Sequence, residues 1–317
     1  MAVFHNEKIK LFTLNSNKKL AEEISNQMGI PLSECQVTKF ADGETSVNIS
    51  ETVRGHKVFV IQSTSAPVND NLMELLIFID ALKRASAREI NIILPYYGYS
   101  RQDRKAQARQ PISAKLVADL LTVAGATRLI CLDLHASQIQ GFFNIPIDNL
   151  TAMPLFASYL KEQNISNFVV VSPDHGGANR ARKLAEYFDA SIAIIDKRRP
   201  KPNVSEVVNI IGKVKNKNCV IVDDLIDTGG TIYNGAKALK KAGAKDIYIL
   251  ATHGLLSGGA RKKLSNPALI KKVVVTNSIQ IQEKTKFDTL DIVTVAPLIA
   301  QAIIKVLDDA AMSPLFE

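Results

Sequence analysis

Short apolar runs rich in β-branched residues alternate with stretches of helical period along most of the chain. Residues 58–61, 90–94 and 219–222 have the length and composition of buried strands. Between such runs lie amphipathic stretches. One of them begins after Asn17 and ends at Gly29, two residue types that commonly cap helices. The alternation predicts an α/β fold with mainly parallel sheets flanked by helices.

Further elements follow from the same patterns. Apolar runs predict strands at residues 9–14, 169–172, 191–195 and 247–251. Helical periodicity predicts helices at residues 71–85 and 296–307. In the helix at 71–85, the expected apolar stripe consists of Leu72, Leu75, Leu76 and Ile79.

Three connecting segments stand out from these elements. Residues 36–40 and 46–49 flank an Ala-Asp-Gly-Glu turn and predict a hairpin. Residues 95–111 are too polar and too interrupted to form a regular element. Residues 196–202 read Asp-Lys-Arg-Arg-Pro-Lys-Pro, and their prolines and cations predict a mobile basic loop rather than a strand or helix.

One stretch of the chain repeats another. Residues 117–135 and 235–253 align without a gap as helix, Ala-Gly-Ala turn, strand and terminal histidine. The match suggests two copies of one α/β domain, which we place at residues 1–149 and 150–295. Residues 296–317 form a last helix and tail, which we expect to pack back on the first domain.

Polar residues gather directly after the apolar run 219–222. Asp223 and Asp224 come first, and Asp227-Thr-Gly-Gly-Thr231 follows at the start of a helical pattern. A strand, a glycine turn and a helix start direct backbone N–H groups and the positive end of the helix at an anion. Carboxylates repel a phosphate, so the acids suit sugar hydroxyls or a metal ion instead. The stretch predicts a site for a phosphorylated sugar; the alternative is a surface turn with capping acids.

Composition limits the partners only broadly. The 317 residues suffice for two domains, and the net charge of +8 favours acidic partners, either polyphosphates or nucleic acid. The N-terminus lacks the apolar core of a signal peptide, and no apolar run approaches the length of about 20 residues that spans a bilayer. Cys35, Cys131 and Cys219 have no metal or redox spacing, which indicates core packing in a reducing compartment.

The acidic glycine-rich stretch is similar to the signature of the type I phosphoribosyltransferases. Together with five other motifs in the same order, it resembles the class I ribose-phosphate pyrophosphokinases over essentially the whole chain. The other motifs are Phe40-Ala-Asp-Gly-Glu44, Tyr96-Tyr-Gly-Tyr-Ser-Arg-Gln-Asp-Arg-Lys105, Leu132-Asp-Leu-His-Ala-Ser-Gln-Ile-Gln-Gly-Phe-Phe143, Ser172-Pro-Asp-His-Gly-Gly177 and Asp196-Lys-Arg-Arg-Pro200.

The resemblance implies two tandem type I phosphoribosyltransferase-like domains. It implies a cytoplasmic enzyme that transfers the β,γ-diphosphoryl group of ATP to the C1 hydroxyl of ribose 5-phosphate, giving AMP and phosphoribosyl pyrophosphate for nucleotide biosynthesis. It also implies Mg²⁺, as MgATP and as a second free ion, inorganic phosphate as an activator, and a homohexamer built as a trimer of dimers. Neither nucleic acid nor a membrane is expected as a partner.

The family pattern assigns roles to particular residues. Lys197 and Arg199 are the expected catalytic cations, and Arg199 also binds ribose 5-phosphate. His135 and Asp174 match the magnesium site. Without the family, His135 reads as a structural histidine, because Mg²⁺ prefers oxygen ligands, and Asp174 reads equally well as a helix cap.

The two substrates are assigned to separate motifs. Ribose 5-phosphate is expected to bind through Asp223 and Asp224, which take its hydroxyls, and through a phosphate cradle of Asp227, Thr228, Gly229, Gly230 and Thr231. ATP is expected to bind Phe40, Asp42, Gly43, Glu44, Arg101, Gln102 and Asp103, with Phe40 stacked on the base. In the family the hairpin at Asp42 reaches a neighbouring subunit's nucleotide, so the active site is shared across an interface.

Residues expected to bind regulatory phosphate or nucleotide are fewer than the family pattern predicts. They are Arg104, Lys105, Arg109 and Ser313. The tail has one serine where the family often has a pair, and the loop at residues 95–111 contains Ala106 and Ala108. We expect weaker phosphate activation or weaker ADP inhibition than in a typical bacterial relative. The alternative functions are a salvage phosphoribosyltransferase, and a catalytically inactive subunit or nucleic-acid-binding regulator of the same fold.

Overall fold

The computed structural model describes residues 8–201 and 204–316, and for residues 197–201 and 204–208 it describes the backbone alone. The described chain divides into two compact units. Unit 1 comprises residues up to Thr151, Ser278–Gln280 and Thr294 onwards, and unit 2 comprises Ala152–Asn277 and Ile281–Val293. The N-terminal residues 1–7, which are not expected to form a signal peptide, lie outside the described residues, as does Pro202 of the basic segment.

Unit 1 contains a five-stranded sheet, a separate hairpin and helices. Its sheet has the order β1-β4-β5-β6-β7 with every pair parallel, while β2 and β3 form an antiparallel hairpin. Its elements up to residue 151 are β1 (Ile9–Thr13), α1 (Lys18–Met28), β2 (Cys35–Lys39), β3 (Thr45–Ile49), β4 (Lys57–Ile61), α2 (Val68–Arg84), β5 (Glu89–Leu94), α3 (Ser113–Ala124), β6 (Arg128–Leu132) and β7 (Ile147–Leu150).

Unit 2 contains a seven-stranded sheet with the order β10-β9-β8-β11-β12-β13-β14. Only its edge pair, β9 and β10, is antiparallel. Its elements are α4 (Met153–Glu162), β8 (Phe168–Ser172), α5 (Ala178–Glu186), β9 (Ile192–Lys201), β10 (Val204–Ile211), β11 (Asn218–Ile226), α6 (Gly230–Lys241), β12 (Ile247–Gly254), α7 (Ala260–Leu264), β13 (Lys272–Thr276) and β14 (Leu290–Val293).

The last helix, α8 (Ala296–Leu307), belongs to unit 1, where it contacts α1. Its buried face is almost entirely aliphatic, so its packing derives from apolar burial. None of the described helices is long and apolar enough to cross a bilayer.

The predicted α/β fold class is confirmed. Each unit has its own apolar core, in which alternate residues of central parallel strands pack against helices. Strands such as β4, whose five residues are all buried, are apolar throughout because both faces are covered. Cys131 and Cys219 are buried in β6 and β11 as free thiols, as expected for core residues.

The predicted mobile basic loop is wrong for most of its length. Residues 196–201 belong to β9, which pairs with the antiparallel strand β10 as far as Lys201 opposite Val204. Proline at position 200 is compatible with this because the register shifts between Val204 and Glu206, so the ladder is irregular there. Composition alone did not reveal the partner strand that follows.

Candidate active site

The predicted acidic pair lies on β11, which extends beyond its expected end at residue 222. The pairing of β11 with β12 continues to the last residue of β11, but its pairing with β8 stops at Ile221. Asp223 and Asp224 therefore lie on a part of β11 that has a strand partner on one side only. This position, at the carboxyl end of a parallel strand, is where open α/β sheets place ligands.

Arg180 on α5 contacts both carboxylates. Its Nη1 lies 3.2 Å from Asp223 Oδ1 and 3.4 Å from Asp224 Oδ1. The side chains of Arg180, Asp223 and Asp224 are 18%, 21% and 5% exposed. Burial and the charge of Asp224 raise the pKa of Asp223 above its ordinary value, and the Arg180 charge opposes this rise.

The turn between β11 and α6 has the geometry of an anion-binding helix start. Gly229 precedes the helix with φ 69°, in the left-handed region that glycine adopts without strain. A side chain at Gly229 would also come within 3.3 Å of Leu264. Thr231 is exposed in the first turn of α6, next to backbone N–H groups that have no partner inside the helix.

The segment after β12 supports this turn. The Ser257 hydroxyl donates to the Asp227 carboxylate, and the Ser257 N–H donates to the Asp227 carbonyl at 3.1 Å. Lys263 Nζ donates to the Thr228 carbonyl at 2.8 Å. These bonds fix Asp227 and Thr228 relative to the start of α6.

Asp174 closes the turn between β8 and α5. Its Oδ1 accepts the Gly177 N–H at 3.0 Å, and its carbonyl accepts the Ser172 hydroxyl at 2.6 Å. The next residue, His175, has its Nε2 3.0 Å from Asp196 Oδ1, which connects this turn to β9 directly before Lys197. The N-cap of α5 is Gly177, so Asp174 stabilises the turn before the helix and is not its cap, and its magnesium role stays a prediction.

The predicted catalytic cations follow Asp196 on β9. The backbone of Lys197 pairs with that of Val207 on β10, and Arg199 lies in the same strand. The side chains of Lys197 and Arg199 lie outside the described part of the chain, so their catalytic roles stay predictions.

The hairpin predicted to bind ATP is present in unit 1. The Phe40 N–H donates to the Glu44 carbonyl at 2.8 Å, and the Glu44 N–H donates to Asp42 Oδ1 at 3.1 Å. Gly43 has φ 97° at the tip of the turn. The Phe40 side chain is 58% exposed, which is unusual for a phenylalanine and agrees with a role in binding a base.

The irregular loop after β5 is anchored where it begins. A side chain at Gly98 would lie 2.4 Å from the Thr64 carbonyl oxygen, so this close approach requires glycine. The Tyr97 hydroxyl donates to the Ala114 carbonyl at 2.8 Å, which connects the loop to α3. The loop thus leaves a rigid base before it reaches Arg101.

The loop residues predicted to bind ATP lie beyond this anchor. The Gln102 carbonyl accepts the Ala114 N–H at 3.2 Å, and the Asp103 carboxylate accepts Gln138 Nε2 at 2.8 Å. Arg101 is exposed, and so are the residues predicted to be regulatory, namely Arg104, Lys105 and Arg109 in this loop and Ser313 in the tail.

His135 follows β6 in unit 1 and is exposed, whereas Asp174 belongs to unit 2. Within the described ranges, no group of three or more His, Cys, Asp or Glu side chains is arranged to hold a metal ion. The exposed carboxylate of Asp174 is a suitable oxygen ligand for Mg²⁺, and the imidazole of His135 is a less usual one.

The two units carry different loops at equivalent places. In unit 1 the loop between β5 and α3 precedes the repeated helix and strand, and in unit 2 the turn between β11 and α6 does so. The repeat at residues 117–135 and 235–253 therefore corresponds to the same helix-to-strand connection in both units.

Arg180, Ser257 and Lys263 were not anticipated from the sequence. Helix α5 also contains Arg182 and Lys183, and composition does not indicate which of the three cations faces the sheet. The helical period favours position 180, because it borders the face formed by the buried positions 177, 181 and 184. Ser257 and Lys263 lie in a loop and a short helix without such a signal.

The fold and the strand-end residues define an α/β protein with a glycine turn at a helix start beside an acidic pair. Known families match both parts of the chain. The N-terminal domain of ribose phosphate pyrophosphokinase matches residues 9–125, and the phosphoribosyl synthetase-associated domain matches residues 197–317.

Similar proteins cover nearly the whole chain. A ribose-phosphate pyrophosphokinase from Bacillus caldolyticus is 59% identical over 98% of each chain. Ribose-phosphate pyrophosphokinase 2 from Enterococcus faecalis is 58% identical over 99% of this chain and 98% of its own. The crystal structure of phosphoribosylpyrophosphate synthetase from Mycobacterium smegmatis is 42% identical and superimposes with a TM-score of 0.90, covering 96% of this chain and 100% of that one. The chain belongs to the ribose-phosphate pyrophosphokinase family.

Proposed function

We propose that the protein is a ribose-phosphate diphosphokinase, which transfers the β,γ-diphosphoryl group of ATP to the C1 hydroxyl of ribose 5-phosphate. The observation that carries the proposal is the acidic pair next to a glycine turn at the end of β11. The turn suits the 5-phosphate and the acids suit ribose hydroxyls. The similarity to full-length ribose-phosphate pyrophosphokinases supplies the second substrate, ATP.

The ribose 5-phosphate site uses residues of unit 2. Backbone N–H groups of Thr228 to Thr231 and the start of α6 hold the 5-phosphate, and Asp223 and Asp224 accept hydrogen bonds from ribose hydroxyls. Holding the sugar at both ends leaves its C1 hydroxyl oriented for attack on the β-phosphorus of ATP. The C1 oxygen forms a bond to the β-phosphorus, and the bond between the β-phosphorus and the oxygen of the α-phosphate breaks. AMP departs, and the hydroxyl proton passes to solvent.

Charge neutralisation is the main contribution of the protein to this step. Negative charge spreads over the transferring phosphates, and Lys197 and Arg199 are the cations that stabilise it. Asp196, which precedes Lys197, contacts His175, and this contact orients the start of the catalytic segment.

The ATP side uses Phe40, Asp42, Gly43 and Glu44 of the hairpin and Arg101, Gln102 and Asp103 of the loop after β5. Asp174 and His135 are the residues that would hold Mg²⁺, in addition to the ion that accompanies ATP. Magnesium supplies charge neutralisation and orients the phosphate oxygens when it is bound.

We also propose a homohexamer built from dimers, in which the hairpin at Asp42 completes a neighbour's nucleotide site. A cytoplasmic location agrees with ATP as substrate and with the free thiols of Cys35, Cys131 and Cys219.

Measuring AMP release from MgATP with and without ribose 5-phosphate tests the function. We expect AMP to form only when ribose 5-phosphate is present, together with an equal amount of phosphoribosyl pyrophosphate. Ribose without its phosphate serves as the control, because it lacks the group that the glycine turn binds. Absence of AMP that depends on ribose 5-phosphate would contradict the proposal, and consumption of phosphoribosyl pyrophosphate with a free base would indicate a salvage enzyme.

Regulation by phosphate should be weak. The predicted regulatory cations are separated by Ala106 and Ala108, and only Ser313 is present in the tail. We expect the initial rate to change by less than about fivefold with added inorganic phosphate, below the usual range of allosteric coupling. The measurement varies phosphate at constant ionic strength and constant free Mg²⁺, with chloride as the matched control. A rate that depends steeply on phosphate would refute this expectation.

A further inference from the structure

The connection between β8 and α5 brings Arg180 to the acidic pair. Helix α5 packs against both β8 and β11. A side chain at Gly177 would lie 2.8 Å from Ser172 Oγ and 3.8 Å from Arg180 Nη1. Glycine at this position therefore lets α5 begin close to the sheet, so that Arg180 reaches past the end of β8 to β11.

A nearby cation favours the charged form of the acidic pair. Asp223 and Asp224 are adjacent and mostly buried, and both burial and mutual repulsion favour a protonated carboxyl group. A protonated carboxyl group loses acceptor capacity, which the ribose hydroxyls require. Among the ion pairs described for this chain, Arg180 provides the cation for both acids.

Arg180 also restricts the orientation of Asp223. Its guanidinium and the Asp224 N–H, at 2.9 Å, both donate to Asp223 Oδ1. A planar guanidinium fixes the direction of a carboxylate better than an ammonium group does. The contact thus determines how the acid faces the end of β11.

We propose that Arg180 is a positioning residue for ribose 5-phosphate, which orients Asp223 and Asp224 as acceptors for the ribose hydroxyls. The inference rests on the proposed function, because it assigns the acids to that substrate. A purely structural ion pair between α5 and the sheet makes a different prediction: its loss would affect both substrates alike.

Steady-state kinetics of Arg180→Gln, Arg180→Lys and the matched control Arg182→Gln test the proposal. Arg182 lies on the same helix and is exposed. We expect Arg180→Gln to raise the KM for ribose 5-phosphate about tenfold or more, as for a lost charged hydrogen bond, and to leave the KM for ATP within about twofold. Arg180→Lys should give an intermediate KM for ribose 5-phosphate, and Arg182→Gln should match the parent.

A double-mutant cycle with Asp223→Asn separates positioning from a general loss of structure. If Arg180 acts through Asp223, Arg180→Gln should raise the KM for ribose 5-phosphate less in the Asp223→Asn background than in the parent. Equal effects in both backgrounds, or parallel increases in both KM values, would overturn the proposal. If Arg180→Gln fails to unfold cooperatively, Arg180→Lys replaces it in the comparison, because it keeps the cation. An unchanged KM for ribose 5-phosphate in Arg180→Lys would then overturn the proposal. A failure of the proposed function gives a different result, because the parent protein itself would then form no AMP that depends on ribose 5-phosphate.

Discussion

Lys197→Ala should lower turnover by about a thousandfold or more while the protein remains folded. A cation that stabilises transferring phosphates contributes about 10³ to 10⁵ in rate in comparable phosphoryl transfers. The residue lies in β9, on the antiparallel pair at the sheet edge, so its loss should disturb little of the core. Single-turnover formation of AMP with saturating substrates measures the effect on the chemical step.

Arg198→Ala is the matched control for this experiment. Arg198 is adjacent on the same strand, carries the same charge and has no role in the proposed site. We expect it to retain turnover near that of the parent. Turnover near the parental value in Lys197→Ala, or equal losses in both variants, would remove Lys197 from the catalytic role.

Asp223→Asn should lower kcat/KM for ribose 5-phosphate by about a hundredfold or more. A carboxylate that accepts hydrogen bonds from ribose hydroxyls contributes about 1.5–3 kcal/mol for each charged hydrogen bond, and an amide replaces it poorly. The kcat/KM for ATP at saturating ribose 5-phosphate should change less. Asp288→Asn, an exposed residue in the turn before β14, provides the control.

The same substitution should not reduce the free energy of unfolding. Arg180 retains Asp224 as its partner, and the repulsion between two adjacent acids disappears. Because the folded protein raises the pKa of Asp223, the folded state binds this proton more strongly than the unfolded state does. The contribution of Asp223 to the free energy of unfolding is therefore lost as pH rises from about 4 through the raised pKa. In Asp223→Asn, the plot of the free energy of unfolding against pH should be flatter over this range. A loss of stability in Asp223→Asn at alkaline pH would contradict this account.

Local signals in the sequence predicted many elements well. Asn17 caps α1 through its side chain, which accepts the Leu20 N–H at 3.3 Å, and Gly29 ends the helix in the left-handed conformation, both as expected. The hairpin and the predicted strands at residues 9–14, 58–61, 90–94 and 169–172 also agree with the structure. These features depend on caps, turns and apolar runs, which short stretches of sequence encode.

Features that depend on distant partners were not predictable in this way. In α2 the expected stripe is only partly correct: Leu75 and Ile79 are buried, but Leu72 and Leu76 are half-buried. Glu74 is buried instead, because it accepts hydrogen bonds from Asn15 and Gln62 at the ends of neighbouring strands. The helix is therefore rotated relative to a purely apolar stripe.

The acidic pair and the glycine turn were identifiable from residue types and spacing, but their support was not. Arg180, which contacts both acids, lies 43 positions before Asp223. No periodicity connects residues at such a separation; only the packing of α5 beside β11 brings them together.

The anchored start of the loop after β5 has a consequence for protein engineering. Tyr97 and Gly98 fix where this loop leaves the sheet, and the contact of Tyr97 with Ala114 fixes where α3 begins. Between these fixed points lie the residues from Arg101 to Arg109, which include those expected to bind ATP and regulatory ligands, on a loop whose ends are set by the sheet and by α3. Substitutions that alter ligand binding can therefore be made in this loop without redesign of the sheet beneath it.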